Sequence, residues 1–158
     1  SNTQILNNDI KMSSEISGGH LYIELVCSDN CVVKNNNCTC ENYYGTGVGI
    51  YGDETVENYN APINNTIENN NFKHISMPIT ISYNARDTKI NNNTIDNCGV
   101  GITINVANID GLEIKNNIIE NCTISGIHYK DIYPEYKSSK ILIQNNIIKD
   151  SNDGILRK

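Results

Sequence analysis

The sequence contains no tryptophan and a single phenylalanine, so its 9 tyrosines supply nearly all of the aromatic side chains. Clusters of lysine or arginine are absent as well, and the formal net charge is -6. Because nucleic acids and anionic membrane surfaces bind basic patches, we expect neither as a partner. No apolar run approaches the roughly 20 residues of a transmembrane helix, so we do not expect the chain to enter a membrane.

Capping segments are missing from both ends of the apolar pattern in this sequence. The chain also begins without a methionine, and Ser1 and Asn2 resemble the remnant of a cloning site. Its 158 residues are enough for one domain with a buried core. We therefore predict a single domain, 1–158, that is a fragment of a longer protein or that associates with further copies of itself.

A repeated pattern, Ile-x-Asn-Asn-x-Ile with small variations, runs through the whole chain. Its six copies begin at Ile5, Val33, Ile67, Ile90, Ile114 and Ile143. A second apolar segment follows each copy, at 21–23, 48–50, 79–81, 102–104, 127–129 and 155. We assign a leading glycine to four of these segments, namely Gly49, Gly101, Gly126 and Gly154. Self-similarity with a period of 20 to 50 residues predicts a solenoid.

The apolar residues of each copy alternate with a period of two, which is typical of β-strands. We predict three strands per coil, each about 4.8 Å from its equivalent in the next coil. The first strand is the glycine-led segment, and the second and third strands flank the asparagine pair. The corner between the second and third strands needs a left-handed backbone, which asparagine tolerates well. Stacked asparagine side chains can then hydrogen-bond to one another inside the coil.

This pattern resembles the right-handed parallel β-helix of the pectate lyase-like superfamily, in which a ladder of asparagines lines a tight turn. The resemblance covers the chain from Ile5 to Leu156. It implies an all-β solenoid of about six rungs with three strands each. It implies no single function, because the superfamily includes lyases, hydrolases, epimerases, phage tailspikes and adhesins.

The 6 cysteines of the sequence fall into two groups. Cys98 and Cys122 have the same register in successive coils, so their Cα atoms should lie about 4.8 Å apart, within reach of a disulfide. We interpret them nevertheless as small apolar residues stacked as thiols. The other four, whose spacing matches no zinc ribbon, are interpreted as buried thiols with a local disulfide as the alternative: Cys27, Cys31, Cys38 and Cys40.

Catalytic motifs known from the superfamily do not occur in this sequence. The Asn-Thr-Asp, Asp-Asp, Gly-His-Gly and Arg-Ile-Lys motifs of polygalacturonases are absent, and the only arginines are Arg86 and Arg157. We therefore name no catalytic residue, expect no cofactor and predict no metal site. Calcium stays as an alternative, because pectate lyases bind it through a cluster of acidic residues.

Two insertions should leave the same flank of the coil, after Tyr51 and after Tyr129. Three steps of about 4.8 Å separate them, roughly 14 Å, which would hold two or three sugar units. We predict a trough whose floor consists of Thr80, Ser82, Thr103 and Asn105. One wall would contain Asp53, Glu54 and Tyr59, and the other His128, Lys130, Asp131 and Tyr133. Aromatic rings cover the apolar faces of sugars, and carboxylates accept hydrogen bonds from sugar hydroxyls.

These features favour a β-helix module that lies outside the cell or on its surface and binds an oligosaccharide or polysaccharide. Two alternatives remain open. One is a fragment of a polysaccharide lyase, glycoside hydrolase or epimerase. The other is a structural spacer of an adhesin or a phage tail protein.

Overall fold

The computed structural model describes residues 2–12, 21–41, 44–52, 61–106, 108–131 and 138–158, apart from the side chains of Leu21, Val106 and Asp131. These residues form sixteen strands and no helix, and none of them belongs to a segment that could cross a membrane as a helix. In chain order the strands are β1 (Gln4–Leu6), β2 (Asp9–Met12), β3 (Leu21–Val26), β4 (Val32–Lys34), β5 (Asn37–Cys40), β6 (Thr46–Tyr51), β7 (Thr66–Glu68), β8 (Asn71–Lys73), β9 (Met77–Ser82), β10 (Lys89–Asn91), β11 (Thr94–Val106), β12 (Glu113–Lys115), β13 (Ile118–Asp131), β14 (Leu142–Gln144), β15 (Ile147–Lys149) and β16 (Asp153–Arg157).

The strands before the asparagine pairs form one parallel sheet in the order β1-β4-β7-β10-β12-β14. Its central register joins the starting residues of all the repeats: Ile5, Val33, Ile67, Ile90, Ile114 and Ile143. The repeat pattern therefore sets the strand register. The predicted fold class, an all-β parallel solenoid, is confirmed.

The third and first strands stack in a second set of parallel ladders, which β11 and β13 join. In these two strands, 13 and 14 residues long, the third-strand and first-strand segments follow one another without a break. A register shift between Cys98 and Val100 marks an irregularity in this ladder, as a β-bulge does where a strand bends. A fourth position is formed by isolated parallel bridges linking Ile63, Arg86, Asp110 and Ser139. The described residues complete about four turns of the solenoid, slightly fewer than the six rungs predicted.

The asparagine pairs form the predicted corner. The first asparagine of each pair has a positive φ, between 55° and 59°: Asn7, Asn35, Asn69, Asn92, Asn116 and Asn145. The second asparagine points inward, and its amide nitrogen donates to the side-chain oxygen of the next level, from Asn36 to Asn70 at 3.0 Å and from Asn70 to Asn93 at 3.0 Å. The same nitrogen also donates to a backbone carbonyl, as Asn70 does to Val33 at 2.9 Å. The amides inside the coil are thereby satisfied.

The core lies inside the coil and consists mainly of stacked isoleucines from all three strand positions. The single phenylalanine, Phe72, is fully buried between the levels of Cys38 and Ile95. The inward residues of the first strands are buried in the same way, as Ile79, Ile102 and Ile127 show. The alternation predicted for the first strands is therefore confirmed. On each strand, the residue that directly follows the isoleucine faces outward.

Candidate functional site

The outward side of the first strands presents two columns of side chains, with one residue per level in each. The Thr80 column contains Glu24, Gly49, Thr80, Thr103 and His128. The Tyr51 column contains Val26, Tyr51, Ser82, Asn105 and Lys130. Successive residues of a column are about 4.8 Å apart, the spacing of neighbouring strands.

The register brings together six of the residues that the sequence predicted for a binding trough. They occupy three consecutive levels on β9, β11 and β13: Thr80, Ser82, Thr103, Asn105, His128 and Lys130. The backbone of Asp131 continues this ladder opposite Val106, but its side chain lies outside the described part of the structure. The remaining predicted residues also lie outside the described residues: Asp53, Glu54, Tyr59 and Tyr133.

The predicted floor is buried rather than open. The exposed fraction is 4% for Thr80, 1% for Ser82 and 7% for Thr103. Asn105 and His128 are half-buried, and Lys130 is exposed. Exposure therefore increases from the threonines toward the level of Lys130.

Hydrogen bonding divides the floor into two unlike halves. In the Tyr51 column, the Asn105 amide nitrogen donates to the Ser82 hydroxyl at 3.0 Å. In the Thr80 column, two buried polar atoms, Thr103 Oγ1 and His128 Nε2, have no hydrogen-bond partner among the described residues. The buried hydroxyl of Thr80 interacts with the Tyr51 phenol. A buried polar group without a partner costs about 1–3 kcal/mol, so two of them on neighbouring levels of one face leave hydrogen-bonding capacity unused.

Tyr51 lies along the sheet rather than pointing away from it. The outer part of its ring occupies the space of a side chain at Gly49, where an added Cβ would be 2.7 Å from Tyr51 Cζ and 2.8 Å from its hydroxyl oxygen. The ring therefore stands in the Thr80 column, between the levels of Glu24 and Thr80. Burial raises the pKa of the Tyr51 phenol and the negative charge of Glu24 raises it further, while a side-chain hydrogen bond with Thr80 lowers it.

The position of Gly49 corrects one assignment made from the sequence. Gly49 was grouped with Gly101, Gly126 and Gly154 as the residue leading a first strand. In the register, Val48 pairs with Ile79 and Ile79 with Ile102, so Gly47 is the equivalent of Gly101. The sequence contained two glycines two residues apart, and only the pairing shows which of them belongs to the repeat.

A family described as "Right handed beta helix region" matches residues 1–157. The chain belongs to this family. No curated protein and no solved structure matches the chain. Membership in the right-handed β-helix family agrees with the parallel coil and with the asparagine corner.

The β-helix contains one disulfide among its described residues, between Cys98 and Cys122. The prediction that these residues stack as thiols is wrong. They pair directly in β11 and β13 with their Cα atoms 4.6 Å apart, which places both sulfur atoms on the same side of adjacent strands. The sequence indicated this distance but not the bond.

The other cysteines of the β-helix lie in its first levels. Cys31, Cys38 and Cys40 are buried, as predicted. The prediction that Cys27 is buried is wrong, because this residue directly follows β3 and is exposed. Burial raises the pKa of the Cys38 thiol to about 12, with a further contribution from the Asp9 charge. In the described part of the chain, no three His, Cys, Asp or Glu side chains are grouped as a metal site requires.

His128 is expected to make the stability of the β-helix depend on pH. Burial lowers the pKa of its imidazole, and the positive charges of Lys158 and Lys130 lower it further, against the opposite effect of Asp153. A base whose pKa is lower in the folded than in the unfolded state destabilises the fold as the pH falls through its unfolded value of about 6.5. Between pH 7 and pH 5, His128→Gln should therefore lose less stability than the wild type.

Urea unfolding at the two pH values measures this difference. His74→Asn is the control, because His74 lies at a third-strand corner with a φ of 58°, which asparagine accepts. This control should keep the wild-type pH dependence. Equal losses for His128→Gln and the wild type would show that the imidazole does not titrate differently in the folded state.

Proposed function

We propose that this β-helix is a module outside the cell or on its surface that binds an oligosaccharide or polysaccharide on the face of its first strands. The single observation that carries this proposal is the Thr80 column, in which the buried atoms Thr103 Oγ1 and His128 Nε2 have no partner among the described residues. Leaving these groups unsatisfied lowers stability. A ligand that supplies their hydrogen bonds would recover that free energy on binding.

Sugars match this column in chemistry and in length. A threonine hydroxyl both donates and accepts, and an imidazole nitrogen does one or the other according to its tautomer; sugar hydroxyls can pair with all of them. The three levels from Thr80 to His128 repeat at about 4.8 Å, which suits a chain molecule with hydroxyls at regular intervals. Because the threonines are buried, a ligand can reach their hydroxyls only if neighbouring atoms move.

Two further features support this proposal. The Cys98–Cys122 disulfide is typical of proteins in oxidising compartments, which favours a location outside the cytoplasm. The groups without a partner among the described residues are a hydroxyl and an imidazole, which are suited to hold sugar hydroxyls in place. Binding is therefore the function that this face supports best, and a lyase, a hydrolase or a spacer finds no comparable support among the described residues.

Valine substitutions in the Thr80 column test the proposal. Valine has nearly the shape of threonine without its hydroxyl. Thr103→Val removes a polar atom that makes no hydrogen bond to a described residue, and Thr80→Val removes the hydroxyl that interacts with the Tyr51 phenol. We expect each variant to bind its oligosaccharide at least tenfold more weakly. We also expect the melting temperature of Thr103→Val to stay equal to that of the wild type or to rise, because no hydrogen bond is lost on folding.

The measurement is a glycan array with the labelled wild type, followed by calorimetric titration of the best soluble oligosaccharide. Thr94→Val is the matched control, because Thr94 is an exposed threonine on the third-strand part of the same strand, β11. It should bind like the wild type. A wild type that binds no glycan, or valine variants of the Thr80 column that bind normally, would contradict the proposed function.

A further inference from the structure

Tyr51 was not among the residues that the sequence predicted for the site, yet its ring stands at one end of the Thr80 column. By sequence it belongs to the Tyr51 column, next to Ser82. Its ring reaches back along β6 and fills the place that Gly49 leaves empty. The Thr80 column therefore consists, level by level, of the Glu24 carboxylate, an aromatic ring, two threonine hydroxyls and an imidazole.

Gly49 has no conformational reason to be glycine. It lies in the interior of β6, and its φ is not among the positive values of the described glycines, which occur at Gly45 and Gly111. A glycine inside a strand is destabilising relative to alanine. What this glycine provides is space, because any Cβ at this position would overlap the Tyr51 ring. Glycine in a strand interior often marks such a close approach.

The ring is half-buried and its phenol interacts with Thr80. A tyrosine phenol is neutral at physiological pH, and burial and the Glu24 charge raise its pKa further. A neutral aromatic ring lying along a surface offers an apolar area to the apolar face of a sugar ring. The exposed Glu24 beside it can accept hydrogen bonds from sugar hydroxyls.

We propose that Tyr51, positioned by Gly49, is the aromatic platform of the binding face and stacks against one pyranose ring at the Glu24 end of the Thr80 column. This inference rests on the proposed function and deepens it. The next sugar along the chain then lies over Thr80 and Thr103, with the oligosaccharide parallel to the axis of the solenoid. The ligand class is accordingly a linear glycan whose pyranose ring has one face of axial C–H groups.

A double-mutant cycle tests this geometry. Tyr51→Phe keeps the ring and should bind within threefold of the wild type, whereas Tyr51→Leu should bind at least tenfold more weakly. Gly49→Ala displaces the ring and should weaken binding by a similar factor. In the Tyr51→Leu background, Gly49→Ala should have no further effect, because both changes act on the same ring.

The probes are tetrasaccharides prepared from cellulose, xylan, chitin and polygalacturonate, measured by calorimetry and by saturation-transfer NMR. In the wild type, the axial C–H protons of one sugar should receive the strongest saturation, and this signal should fall in Tyr51→Leu. Tyr44→Leu is the control, because Tyr44 is 50% exposed and lies outside both columns. Circular dichroism checks that each variant keeps its strands.

The outcomes separate this inference from the proposed function. If Thr103→Val weakens binding and Tyr51→Leu does not, the platform is overturned while glycan binding stands. If Gly49→Ala weakens binding equally with and without the Tyr51 ring, Gly49 does not act through Tyr51 and the positioning is overturned. A wild type that binds none of the four tetrasaccharides or the arrayed glycans overturns both proposals.

Discussion

Asn93→Ala is expected to lower the free energy of unfolding by about 3–5 kcal/mol, the largest effect that we predict for a single substitution. The Asn93 side-chain oxygen accepts from the Asn70 backbone nitrogen at 2.9 Å and from the Asn70 amide nitrogen at 3.0 Å. Its own amide nitrogen donates to the Ile67 carbonyl and to the Asn117 side chain, both at 3.0 Å. Alanine leaves several buried groups unsatisfied, at about 1–3 kcal/mol each.

Urea unfolding followed by circular dichroism measures this loss, and Asn71→Ala is its control. Asn71 belongs to the same coil as Asn70 but is exposed, and its amide nitrogen makes one side-chain bond, to Asn37 at 2.9 Å. Water replaces an exposed bond at little cost, so we expect this control to lose less than about 1 kcal/mol. Comparable losses in the two variants would mean that the inner ladder contributes no more than the outer one.

Replacing both members of the disulfide, Cys98→Ala with Cys122→Ala, is expected to cost about 3 kcal/mol. The bond joins residues 24 positions apart, and closing a loop of that length restricts the unfolded chain by about this amount. For a domain of this size, such a loss corresponds to a melting temperature roughly 6–12 °C lower. Differential scanning calorimetry in a non-reducing buffer measures the shift.

A reductant separates the effect of the bond from the effect of lost packing. The phosphine reductant TCEP, present during heating, should lower the melting temperature of the wild type and leave that of the double variant unchanged. Cys38→Ala is the control, because it removes a buried sulfur atom of the core and should keep the wild-type response to TCEP. A wild type that melts at the same temperature with and without TCEP would contradict a stabilising disulfide.

The fold could be predicted because its determinants are local and are repeated. The period-two alternation around residues such as Ile90 and Ile114 places one side of each strand inward, and the paired asparagines between strands accept the left-handed corner that Asn92 and Asn116 adopt. Each copy of the pattern independently indicates the same register.

For the candidate site, the sequence predicted only the side of the sheet and the levels on which its residues lie. Alternation alone places Thr80, Thr103 and His128 on the outward side of neighbouring levels, and the register confirms this. Their burial and their hydrogen bonding depend on atoms from other levels, which no local pattern describes. The position of the Tyr51 ring was missed for the same reason, although the pair Gly49 and Tyr51, two residues apart on one strand face, is a signal that could have been recognised.

Sequence alone was therefore sufficient for the solenoid, the asparagine corner and the side of the sheet on which each residue lies. These properties follow from the backbone preferences and the hydrophobic period of a short segment. Only the tertiary structure showed that Cys98 is bonded to Cys122, that Gly47 rather than Gly49 belongs to the repeat, and that the Tyr51 ring lies in the Thr80 column. Each of these depends on distances between side chains or on strand pairing across levels, which the spacing of residues along the chain limits but does not specify.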